Sequence, residues 1–282
     1  MHSDCGADHL TPTIWIIAAI AILIGPRQTV PLTKSAHGTL IIVSATKSSI
    51  VIAADSGLVQ NGKIISAKQQ KIIPAGHDSA CFLVGLVSGV FTGHTERENL
   101  AATVRAWVAK HPHAGVRQTH QGVTDAITTD LTDVRVPGLQ ALSTVSVGCV
   151  GFDGGTPVIV NSDIYLQTDS GPHVIKTDHV LLPGLVIPVG WTSTTAEMLR
   201  GDRAALESFK SEPIVRKYRE ASRNGRLASL TERDLLSVSS ACLKATETHA
   251  AQNFDPDASE VSAPNHFAVI DKQKGFRWVQ VM

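Results

Sequence analysis

Near the start of the chain, Thr39 follows Gly38, Asp55 sits between Ala54 and Ser56, and Lys71 precedes two isoleucines. Asp55 lies sixteen residues beyond Thr39, and Lys71 sixteen beyond Asp55. A threonine hydroxyl is a weak nucleophile at neutral pH and needs a base within hydrogen-bond reach. Cutting the chain after Gly38 would give Thr39 its own base, because an α-amino group titrates near ~8 and is partly neutral at pH 7. A neighbouring ammonium, such as that of Lys71, lowers that pKa and raises the neutral fraction. A lysine held in a strand-lined cleft costs several kcal/mol unless it is paired, and Asp55 is the obvious partner. Taken singly, Thr39 reads as a strand start, Asp55 as a strand-end cap and Lys71 as a solvated side chain. Their joint spacing, after a leader that ends at Gly38, favours a site.

The elements that must position these residues follow from periodicity. TLIIVSA from Thr39 and IVIAAD up to Asp55 are rich in β-branched residues and are separated by a polar break, as in a hairpin. A turn at Asn61-Gly62, a short strand toward KIIP and a buried apolar strand over residues 80–87 come next. Residues 95–110 place Leu100, Val104, Trp107 and Val108 on one helical stripe. Val123, Ile127, Leu131 and Val134 repeat that spacing after a connector with Pro112 and Gly115. Strand signals return over 143–151, 157–161 and 164–167, with a turn at Gly154-Gly155. Helices are expected over 195–206 and 230–251, the second entered by Ser229 with Glu232 at capping-box spacing. HFAVID and FRWVQV then flank residues 272–275 as a closing hairpin. Strands, helices, strands, helices and strands predict an α+β fold, a four-layer αββα sandwich of two stacked, mainly antiparallel sheets covered by helices.

The chain has 282 residues, 43% hydrophobic and 18% charged, and no net formal charge. One sizeable core is affordable at this length, and the absent net charge argues against nucleic acid as a partner. Cys5, Cys81, Cys149 and Cys242 stand far apart without a CxxC pair, so neither a zinc site nor a disulfide framework is expected. Cys81 and Cys149 read as small core residues in apolar strands. His111 and His113 flank a proline and would hold a metal only with ligands from elsewhere, so no metal or cofactor is expected.

Residues 1–38 differ from the rest and read as a hydrophobic leader and propeptide, ahead of a single domain over 39–282. The apolar run over 14–25 is short for a bilayer span but suits a signal-peptide core. The segment before it carries Asp4 and Asp8 with no lysine or arginine, and no small-x-small cleavage site follows, so a plain propeptide is an equal reading. As a signal it would contact the membrane or the export machinery and place the protein outside the cytoplasm. Otherwise the protein is cytoplasmic. Residues 26–38, rich in proline and small polar residues, read as an exposed, cleavable connector.

HGTLIIVSATKSSIVIAADSG followed by QQKIIP resembles the amino-terminal part of proteasome β-type subunits and their bacterial relatives, the N-terminal nucleophile (Ntn) hydrolases with a catalytic threonine. The resemblance covers residues 38–89 well and rests on element order beyond them. It implies self-cleavage of the Gly38–Thr39 bond, with Thr39 as nucleophile and base and with Asp55 and Lys71 as its partners. Gly85, fourteen residues past Lys71, falls where the family uses a glycine N–H to stabilise the oxyanion. Ser193, in a turn before a helix, matches the serine that completes the family's site. Asp257 or Glu260 with Ser262 are the candidates for its last acidic residue and serine. Leu40 replaces a frequent second threonine, and Gly57 stands where a basic residue is common.

The resemblance further implies acyl transfer to Thr39 followed by hydrolysis, usually of a peptide bond in a peptide or protein substrate. By colinearity Leu58, Gln69, Ile73, Leu83 and Val87 would form the primary specificity pocket, which suits an uncharged, hydrophobic residue before the cut. It also implies a homo-oligomeric ring, with residues 115–134 as a candidate inter-subunit surface. The rival readings are an amidase of the same fold acting on a small amide, and a silent assembly subunit that never exposes Thr39.

Overall fold

β-Branched residues are most at home on covered, pleated surfaces, and the two richest runs of them lie at the centre of the fold. The computed structural model describes residues 36–37, 40–60, 63–66, 69–85, 88–89, 98–132, 143–167, 171–190, 211–252 and 263–281. Strands β2 (Leu40–Ala45) and β3 (Ser49–Ala54) pair antiparallel, with Ile41 opposite Ala54, and are buried at every position. Such burial on both faces explains why they read as continuous apolar runs rather than alternating ones. Together with β13 (Val186–Gly190), β14 (His266–Asp271) and β15 (Gly275–Val279) they form an antiparallel sheet ordered β13-β2-β3-β14-β15.

A second antiparallel sheet holds β6 (Ile72–Pro74), β7 (Ser79–Gly85), β10 (Ser143–Asp153), β11 (Thr156–Gln167) and β12 (Gly171–Val180), in the order β12-β11-β10-β7-β6. Three apolar clusters define the layers. Ile41, Val43, Ile50 and Ile52 of the first sheet meet Ile72, Phe82, Val150 and Ile159 of the second, so the sheets stack face to face. The far side of the second sheet packs through Leu83, Val145 and Val147 on helices α1 (Leu100–Lys110) and α2 (Val116–Leu131). The far side of the first packs through Leu40, Ile42 and Val51 on α3 (Pro213–Arg223) and α4 (Glu232–Gln252). The expected α+β class and helix–sheet–sheet–helix order are thus present.

Several local expectations are corrected. α1 starts at Leu100, where Asn99 caps it by accepting the Ala102 N–H. Residues 157–167 belong to one strand, β11, rather than two. The capping box of α4 is Thr231 with Asp234, each accepting the other's backbone N–H, whereas Ser229 closes a short 3-10 turn. β12, β13 and α3 have no counterpart in the sequence reading. Cys81 and Cys149 face each other across β7 and β10 and form a disulfide. They are buried core residues as expected, but pairing register, which spacing along the chain does not reveal, joins them. The helix expected over 195–206 and the turn at Asn61-Gly62 lie outside the described residues.

A third sheet of short strands is ordered β5-β4-β1-β8-β9, built from β1 (Ala36–His37), β4 (Leu58–Gln60), β5 (Lys63–Ser66), β8 (Ser88–Gly89) and β9 (Glu98–Asn99). Ala36 is opposite both Gln60 and Ser88, and His37 is opposite Val59. Residues 36–37, at the end of the leader, therefore form a middle strand of this sheet.

Candidate active site

The β2–β3 hairpin brings Leu40 and Asp55 together, since their neighbours Ile41 and Ala54 are direct partners. Asp55 accepts the Leu40 N–H through Oδ1 at 2.8 Å, and its own N–H donates to the Leu40 carbonyl at 3.2 Å. Gly57 donates its N–H to Oδ2 at 2.9 Å. Lys71 enters from the second sheet, one residue before β6, and places Nζ 2.8 Å from each carboxylate oxygen of Asp55. The pair thus bridges the two stacked sheets at one end, with side-chain exposures of 1% for Lys71 and 0% for Asp55.

The sequence expectation that Asp55 balances Lys71 is met in this geometry. Ion pairs withdrawn this far from water need further hydrogen bonds to offset desolvation, and the two backbone N–H groups supply them. The backbone N–H of Gln69 donates to the carbonyl of Ser56 at 3.1 Å, which fastens the segment leading into Lys71 to the segment following Asp55.

Gly85 closes β7 opposite Val145. Its φ of +83° lies where a Cβ would crowd the following carbonyl, so glycine is required there. β6 pairs with β7 through Ile72 opposite Phe82, and Lys71 and Gly85 therefore come from neighbouring strands of one hairpin. Of the expected pocket residues, Ile73 and Leu83 are buried in one cluster beside Leu100 and Val104. Gln69 is half-buried, and Leu58 lies in β4 opposite Ser66. Gly38, Thr39, Val87, Ser193, Asp257, Glu260 and Ser262 lie outside the described residues. Thr39 is covalently joined to the Leu40 nitrogen that donates to Asp55.

His266 is a neighbour of the pair that sequence reasoning did not single out. It opens β14 opposite Ala54. Burial holds its ring below the usual histidine pKa; the Asp55 charge opposes that shift and the Lys71 charge adds to it. With Gln70, Asn265, Trp278 and Gln280 it lines a cavity of about 660 Å³. Only strand pairing, which one sequence does not disclose, could have found it. His111 stacks on Trp107 and bonds its carbonyl through Nδ1 at 2.9 Å. Among the described residues no group of three or more potential ligands is placed to hold a metal, and no described helix is long and apolar enough to cross a membrane.

No protein-family model matches the sequence. No curated protein matches it either.

Proposed function

We propose that the chain is a self-processing N-terminal threonine hydrolase of the proteasome-like, Ntn type, acting as an endopeptidase on peptide bonds that follow hydrophobic residues. The observation that carries this reading is the buried Asp55–Lys71 pair, anchored at 2.8 Å to the N–H of the residue that follows Thr39. Cleavage after Gly38 creates an α-amine one residue from that anchor. The amine takes the Thr39 hydroxyl proton while Oγ attacks the scissile carbonyl. Lys71 keeps the amine partly neutral by opposing its protonation. The tetrahedral oxyanion is stabilised by the Gly85 N–H, a contribution of about 3 kcal/mol where single donors have been removed from other enzymes. The ammonium returns its proton to the leaving amine, and water then hydrolyses the threonine ester. By the same resemblance, Ser193 is assigned the role of the serine that completes such a site.

The third sheet supports a mode of substrate binding. β1 ends one residue before the Gly38–Thr39 bond and lies between β4 and β8, antiparallel to both. The leader thus holds the position that the acyl side of a peptide would take by strand addition, with main-chain hydrogen bonds giving affinity and side-chain pockets giving preference. Processing releases that slot to a substrate. The buried disulfide supports reading residues 14–25 as an export signal, because such bonds persist in oxidising compartments.

A panel of fluorogenic peptide amides tests the proposal. The processed chain is expected to cleave best after uncharged apolar residues, with no turnover by Thr39→Ala. Best cleavage after lysine or arginine, or undiminished turnover by Thr39→Ala, would contradict it.

A further inference from the structure

β12 is the outermost strand of the second sheet, and among the described residues nothing pairs with its outer edge. Every residue from His173 to Val180 is exposed, including the apolar Val174, Ile175 and Val180. A long edge with unpaired N–H and C=O groups is a template for another strand, and proteins ordinarily blunt such edges.

The phase of the hydrogen bonding determines what this edge offers. The Leu181 N–H donates inward to the Pro157 carbonyl at 2.9 Å, and β11 and β12 pair without a register shift from Val158–Val180 onward. In an antiparallel ladder such bonding alternates by residue. The odd-numbered residues therefore face β11, and Val174, Lys176, Asp178 and Val180 hold their backbone groups outward.

Around Thr177 the sequence VIKTDHV is self-complementary. A second β12 laid antiparallel about a twofold axis at Thr177 sets Val174 against the partner's Val180 and Lys176 against the partner's Asp178, each twice. These four are hydrogen-bonded pairs, and opposite-charge and β-branched pairs are the ones that stabilise sheets. Within one chain, Arg117 of α2 contacts both Asp153, at 2.6 Å, and Asp178. One guanidinium against two carboxylates leaves a negative charge, and Lys176 has no ion pair among the described residues. The partner's Lys176 would supply the missing cation.

We propose that β12 is an interface for a second copy of this chain, joining two second sheets into one continuous ten-stranded sheet across a twofold at Thr177. The inference is independent of the hydrolase reading.

Thr177 tests it directly, because residues on the axis form a non-hydrogen-bonded pair with Cα atoms about 4.5 Å apart, within disulfide range. In the full-length protein, Thr177→Cys is expected to give a covalent dimer on mild oxidation, seen on a non-reducing gel. Ile175→Cys, whose partner in this register is His179, should give no more than the wild-type background. Light scattering should show wild-type dimers. Lys176→Glu, which sets like charges opposite each other twice, should weaken them about tenfold. A monomeric wild type, or a Thr177→Cys protein that cross-links no better than Ile175→Cys, would overturn the interface. A dimer indifferent to Lys176→Glu would do the same.

Discussion

Asp55 accepts from Lys71, Leu40 and Gly57 at 2.8 to 2.9 Å, so every partner of its buried carboxylate among the described residues is an N–H donor. Lys71→Ala is expected to leave that charge with its two backbone donors and to cost about 3–5 kcal/mol. Lys71→Met combined with Asp55→Asn removes both charges and should recover much of that loss in urea unfolding. The double variant should nevertheless hydrolyse nothing, because no ammonium then depresses the Thr39 amine. A stable and active double variant would reduce the pair to a structural role. The Asp55–Lys71 partnership was legible in the sequence because both residue types and their spacing are specific. The Gly57 donor and His266 were not, since main-chain bonds and cross-strand neighbours leave no pattern along a chain.

At the level of elements, β7 carries Cys81, the buried Leu83 and the left-handed Gly85, and the disulfide to Cys149 ties it to β10. The bridge spans 68 residues, a loop whose closure in the unfolded chain contributes about 4 kcal/mol in the chain-entropy model. Reductant, or the paired change Cys81→Ser with Cys149→Ser, should lower unfolding stability by up to that amount. An unchanged urea midpoint would mean that the thiols are not joined. α2 was anticipated from its stripe of Val123, Ile127 and Leu131, all of which the monomer core uses. α3 escaped because only Val215 and Tyr218 are fully buried in a segment otherwise polar. β12 escaped for a related reason: with both faces exposed, it has no reason to alternate.

Over the whole molecule, stability should depend on pH through His120, which α2 buries completely against the second sheet. Burial, helped by Lys176 and opposed by a backbone hydrogen bond at Val147 and by Asp125, lowers its pKa to about 4. In the unfolded chain it would titrate near ~6.5. The folded protein therefore binds the proton less readily, and stability is lost as pH falls from 6.5 toward 4. The loss is roughly 2 kcal/mol at pH 5. His120→Leu should flatten that dependence in urea unfolding at pH 5 and pH 7.5, and an unaltered slope would assign it to other groups. The layered architecture itself is legible because β-branched apolar runs and helical stripes follow one another in blocks. The position of β1 is not, because two residues carry no period.

Intact mass of the chain purified from cells tests the central claim most directly. The account predicts a protein that begins at Thr39, and a Thr39→Ala variant that stays uncut after Gly38. A wild-type chain still joined at Gly38–Thr39, or a Thr39→Ala chain cut there all the same, would contradict it.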